Sequence, residues 1–163
     1  MPGELSSHGV PLPPDLRSGP VIVGIESVQT AGRQLRGAVF LARCLDRPLL
    51  VVHIRRRVMP VAEGYLPVGE DLQMSPEVEQ ALNDDLAKGL RDSGDLAGVD
   101  WQLYCGYGEA AVELVRIADD KDAACVVVGK RTSGISELLH RITSGSVSRA
   151  VVAAHKFPVM VFP

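Results

Sequence analysis

Along the chain, short unbroken apolar runs alternate with stretches whose apolar residues recur every three or four positions. "PVIVGIE" (20–26), "RPLLVVHI" (47–54), "VDWQLYCG" (99–106), "AACVVVG" (123–129) and "PVMVF" (158–162) are runs of strand length. Continuous apolarity, rather than alternation, is what a parallel strand covered on both faces requires. Between these runs the period becomes helical. Ala31, Leu35, Ala38, Val39, Ala42 and Leu45 share one face, and Ser27 or Thr30 stands in place to cap the helix. Ser75-Pro76-Glu77 marks a second helix start, with a capping serine, a proline at the first helical position and an acid in the first turn. That helix runs to about Asp92, where "SGDLAG" breaks it. Ala111, Leu114, Val115 and Ala118 form an inward stripe over 109–120, and Val147, Ala150, Val151 and Ala154 form another over 146–154.

The resulting order, β-α-β-α-β-α-β-α-β, predicts one α/β domain over residues 20–163. Right-handed crossovers turn such a string into an open, doubly wound five-stranded parallel sheet with helices on both faces. Residues 1–19, rich in Pro, Gly and Ser and without periodicity, predict a flexible arm. Residues 55–73 carry Pro60, Gly64, Pro67 and Gly69 and predict a long irregular connection. In this architecture ligands bind beyond the C-terminal strand ends where strand order reverses, normally between the first and fourth strands. Those ends are Gly24-Ile25-Glu26 and Val128-Gly129-Lys130.

Composition narrows the classes. A chain of 163 residues with 46% hydrophobic and 23% charged residues buries a full core, and only 4% is aromatic. A net charge of −3 offers no electrostatic basis for a nucleic-acid or membrane partner, and no apolar run is long enough to span a bilayer. Cys44, Cys105 and Cys125 are scattered and form no CxxC pair, so neither a disulfide framework nor a zinc site is indicated. With no basic-then-apolar leader at the start, a reducing cytoplasm is the expected setting.

The candidate chemistry lies after the fourth strand. Ser144-Gly145-Ser146-Val147 sets a glycine turn before a helix start, where successive N–H groups and the helix dipole favour an anion. Lys130 and Arg131 flank the same loop and can neutralise a phosphate. The bland alternatives are that Ser146 is an ordinary N-cap and Lys130-Arg131 a solvated pair. Glu26 can accept hydrogen bonds from a ribose or an adenine amine, or serve only as a solvent-facing acid near the first helix. Ile54 and Val128 offer apolar contact to a base, or are strand-end core residues. Between the two loop ends, "GISELLHRI" (134–142) has the pattern of a short amphipathic helix.

In this order and spacing the pieces resemble the universal stress protein family, over nearly everything from Pro20 to Pro163. The first strand ends in an acid, Glu26 where the family has Asp; the second ends in His53-Ile54; Gly108 opens the third helix; the fourth strand reads "VVVG"; and Gly145-Ser146 precedes a short helix and a Pro-Val-x-Val strand. The resemblance implies a Rossmann-like fold of the adenine nucleotide alpha hydrolase-like type, acting in stress response. It also implies a site for ATP or another adenine nucleotide at Gly24, Ile25, Glu26, Ile54, Val128, Gly129, Lys130, Arg131, Thr132, Gly145, Ser146 and Val147, with Mg²⁺ entering only alongside the nucleotide. Nucleotide-binding members carry G-x2-G-x9-G-[ST] after the fourth strand. Here Gly129 and Gly145-Ser146 match, Thr132 stands at the second glycine, and the loop between the matched glycines is three residues longer.

Catalytic signatures are absent: no G-x-S-x-G, H-E-x-x-H or G-x4-G-K-[ST] occurs. His53 is better placed as a structural residue than as a base, so hydrolysis of ATP would at most be slow. A nucleotidyl-transfer enzyme of similar architecture would need a His-x-Gly-His or Ser-Gly-Gly loop where this chain has Glu26-Ser27-Val28-Gln29. The last strand, Val159 to Phe162, is short and apolar and is expected at a sheet edge. The family resemblance implies a homodimer through it. If the nucleotide site is lost, the same edge makes the chain a dimerising interaction module.

Overall fold

The computed structural model describes residues 17–55, 75–129 and 157–162. The described residues form five strands and three helices: β1 (Val21–Ile25), α1 (Gly32–Leu45), β2 (Leu49–Arg55), α2 (Pro76–Ser93), β3 (Trp101–Tyr107), α3 (Ala110–Asp120), β4 (Cys125–Gly129) and β5 (Val159–Phe162). All neighbouring strands run parallel, in the order β3-β2-β1-β4-β5. The expected α/β sheet is therefore present, with β1 beside β4 and β5 at an edge. The segments 55–73, 134–142 and 146–154, expected to be a connection and two helices, lie outside the described residues apart from Arg55.

The sheet divides two cores. On one face Val21, Val23 and Ile25 of β1, Leu49 and Val51 of β2, and Cys125 and Val127 of β4 pack under α1 and Leu90 of α2. On the other, Ile22, Leu50, Val52, Val126 and Val128 pack under Ala111, Leu114, Ile117 and Ala118 of α3. Alternate residues of one strand thus feed opposite cores, and this two-sided burial explains why the runs lack polar alternation. In α3 the inward stripe includes Ile117, while Val115 is only half-buried.

Among the three described helix starts, only that of α2 has a side-chain cap. Ser75 caps α2, its hydroxyl accepting from the Val78 N–H at 3.4 Å, with Pro76 next. The α1 start differs from the sequence expectation, because Ala31 occupies the cap position and no side chain caps it. Ser27 and Thr30 instead bond to one another at 2.9 Å, their hydroxyls consumed within the turn that leads from β1 into the helix. Residues 17–19 are tied to the fold: Arg17 pairs with Asp119 at 2.9 Å, and the Gly19 N–H donates to Asp122 O at 2.8 Å.

Candidate functional site

The switch point of the sheet lies between β1 and β4, since β2 and β3 extend to one side of β1 and β4 and β5 to the other. There the two strands part before either ends. The β1–β4 register runs from Val21↔Cys125 to Val23↔Val127, whereas β1 stays with β2 to Ile25↔His53 and β4 stays with β5 to Gly129↔Phe162. A fork opens beyond Val23 and Val127, at the place where this architecture binds ligands.

Glycine lines both prongs of the fork. A Cβ on Gly24 would sit 3.1 Å from Leu114 Cδ2, and a Cβ on Gly129 would overlap the side-chain amide of Gln34. Past Gly24, Ile25 is 4% exposed and its side chain faces α1, while Glu26 is exposed. Val128 is buried beneath α3 on the opposite face, and Ile54 is half-buried against that same core. The structure thus brings Gly24, Ile25, Val128 and Gly129 together. Ile25 and Val128 commit their side chains to opposite cores, so what they present at the fork is main chain. Glu26 is the one charged side chain among these strand-end residues. Lys130, Arg131, Thr132, Gly145, Ser146 and Val147 lie outside the described residues.

His53 closes the fork on the β2 side. Its Nδ1 lies 3.2 Å from Ile25 O, and a carbonyl only accepts, so Nδ1 carries the proton. Burial lowers its pKa most; the Ile25 bond and Glu26 oppose this, and Arg55 adds to it. A neutral imidazole latching β1 to β2 is a structural role, as the sequence suggested. Gly108, at the end of β3, holds φ of +141° and donates its N–H to Arg55 O at 3.0 Å, a backbone state that favours glycine. Cys125 is a buried thiol whose pKa burial pushes up to about 11, so it behaves as a small hydrophobe. Among the described residues no group of three or more His, Cys, Asp or Glu could hold a metal ion, and no helix is long and apolar enough to cross a membrane.

Sequence reasoning missed one residue, Gln34. It is 7% exposed, and its Nε2 donates to Gly24 O at 3.0 Å. Its signal was legible: position 34 follows Ala31 by three and precedes Ala38 by four, so a polar side chain stands on the apolar stripe of α1.

Known proteins resemble this chain in sequence and in fold. "Universal stress protein YxiE" of Bacillus subtilis (strain 168) is 26% identical over 148 residues, which cover 86% of this chain and 96% of that protein. Among solved structures, the universal stress protein from Archaeoglobus fulgidus in complex with dAMP superposes with a TM-score of 0.54 at 23% identity, covering 90% of this chain and 98% of that one. A protein from the universal stress protein family from Burkholderia pseudomallei gives a TM-score of 0.56 at 22% identity, covering 88% and 95%. At these identities the structural likeness speaks for the fold. The sequence model of the Universal stress protein family matches residues 18–163. With that match over all five strands, the chain belongs to the universal stress protein family.

Proposed function

We propose that this chain binds an adenine nucleotide in the fork between β1 and β4 and acts as a nucleotide-responsive homodimer in stress response. The observation that carries the reading is the fork itself. Two glycine-bearing strand ends part at the switch point, with an exposed carboxylate, Glu26, one residue past the end of β1. Glycine lets a ligand approach main-chain groups closely, and Glu26 is a hydrogen-bond acceptor for ribose hydroxyls or an adenine amine. Support comes from the Archaeoglobus fulgidus relative, whose structure holds dAMP. The phosphates would meet Lys130, Arg131, Thr132, Gly145, Ser146 and Val147, with Mg²⁺ accompanying a triphosphate. Hydrolysis is at most slow, since the chain carries none of the G-x-S-x-G, H-E-x-x-H or G-x4-G-K-[ST] signatures. The cytoplasm suits a chain whose three cysteines are free thiols.

A second reading keeps the family and drops the ligand: a dimerising interaction module. It is favoured by Thr132 in place of the family's glycine and by the exposed apolar β5 edge. Calorimetric titration and thermal shift with ATP, ADP and AMP, with and without Mg²⁺, separate the two. Ligand at a hundred times Kd adds about 2.7 kcal/mol of stability. Glu26→Ala should weaken binding about tenfold, and Gly145→Val should abolish it with the fold retained. A flat response to all three nucleotides leaves the interaction module.

A further inference from the structure

We propose that Gln34 is a positioning residue that holds the C-terminal ends of β1 and β4 apart and so sets the width of the nucleotide crevice. Gln34 is the one buried polar side chain among the described residues, at 7% exposed. A buried primary amide is costly unless its hydrogen-bonding groups are engaged, so its presence at a core position of α1 needs a compensating partner. The partner is the first β1 carbonyl past the end of the β1–β4 register: Gln34 Nε2 donates to Gly24 O at 3.0 Å. On the other prong, the amide oxygen of Gln34 occupies the position a Cβ on Gly129 would take. One side-chain amide therefore touches both prongs, immediately where main-chain pairing stops.

Three otherwise separate features follow from this wedge. Gly129 must lack a side chain because Gln34 fills its space. The β1–β4 ladder ends at Val23↔Val127 because a side-chain donor, not the neighbouring strand, takes the Gly24 carbonyl. Glu26, two residues beyond Gly24, is then carried away from Gly129, and the gap between them becomes the space for base and ribose. The functional half of this inference rests on the nucleotide reading above; the wedge itself does not.

The test is a double-mutant cycle on Gln34→Ala and Gly129→Ala in the full chain, read by residue-level hydrogen exchange and by AMP and ATP titration. Gln34→Ala should speed exchange at the ends of the two strands, Gly24 to Glu26 and Val128 to Gly129, while Val21 to Val23 and Cys125 to Val127 keep their protection. It should raise Kd for the nucleotide about tenfold, the equivalent of one buried hydrogen bond. Gly129→Ala alone should do the same. Added to Gln34→Ala it should change nothing further, because the methyl group enters vacated space. Gln34→Glu should show fast exchange at neutral pH, where a carboxylate faces the Gly24 carbonyl. It should recover at acid pH, where the protonated group donates as the amide does. Uniform loss of protection across the sheet, additive effects of the two alanines, or unchanged nucleotide affinity in Gln34→Ala would overturn the proposal. If the parent protein binds no nucleotide, the function proposed above fails. The exchange pattern and the cycle then still decide whether Gln34 is the wedge.

Discussion

Phe162, the last residue of β5, lays its ring against Gly37 of α1, so closely that a Cβ on Gly37 would overlap the ring. A glycine inside a helix is ordinarily a cost of about 1 kcal/mol relative to alanine. Here it is a notch that lets the edge strand dock on α1 and brings Phe162 to the core on that face. Gly37→Ala should therefore invert the usual sign. Overpacking of about 1–3 kcal/mol outweighs the gain in helix propensity, and the melting temperature falls by a few degrees. In a Phe162→Ala background the same change should become stabilising, since only propensity remains. A thermal melt of the four proteins checks both signs.

The burial of His53 makes stability pH-dependent. The folded pKa lies below the ordinary 6.5, chiefly through burial. Below pH 6.5 the unfolded chain takes up a proton that the folded chain refuses, so stability falls with pH between 6.5 and the lower folded value. The slope from this group stays under about 1.4 kcal/mol per pH unit, the limit for a single proton. His53→Asn, which keeps a donor near the Nδ1 position and does not titrate, should remove that slope. Urea unfolding from pH 5 to pH 8 measures it.

The start of α2 depends on Ser75, whose hydroxyl accepts from Val78 N–H, with Glu77 and Glu79 adding negative charge in the first turn. Hydrogen bonds from its own backbone N–H and from Ser75 hold the Glu77 carboxyl below its ordinary pKa. Ser75→Ala should cost about 0.5–1 kcal/mol, and Ser75→Gly only a few tenths. The loss should appear in hydrogen exchange as fraying confined to the first turn. Uniform weakening along α2 would deny Ser75 the cap.

Val159, Met160 and Val161 are 48%, 41% and 43% exposed on an edge strand. An apolar edge with open main-chain groups is a surface for pairing with another strand. If the second copy of this chain is the partner, Val161→Lys should halve the mass measured by light scattering and leave the fold's circular dichroism unchanged. A parent protein that is monomeric at all concentrations removes the dimer from the proposed function.

Much of the fold was readable because burial on two faces imposes a local signature. Strands β1, β2 and β4 sit between helical layers, so both sets of alternating residues must be apolar, and the runs at 20–26, 47–54 and 123–129 show it. Ser75-Pro76 was equally local, since a cap and its N–H lie within three residues. Ser27 and Thr30 were misread as caps because both lie close enough to do it. Their preference for each other depends on how β1 turns into α1, which neighbouring residues do not dictate.

The sequence by itself determined the order of the described elements, the parallel sheet and the strand ends that flank the fork, because hydrophobic period and turn chemistry act over a few residues. Which groups meet at that fork was decided only in three dimensions. Ile25 and Val128 face opposite cores because the sheet's pleat assigns them there, though both stand at strand ends in the sequence. Gln34 reaches Gly24 and the space at Gly129 across separations of ten and 95 residues, counted as 34 − 24 and 129 − 34. No periodicity encodes such a contact; it exists because packing α1 onto the sheet places one buried amide over the point where two strands part, and a buried amide must find partners.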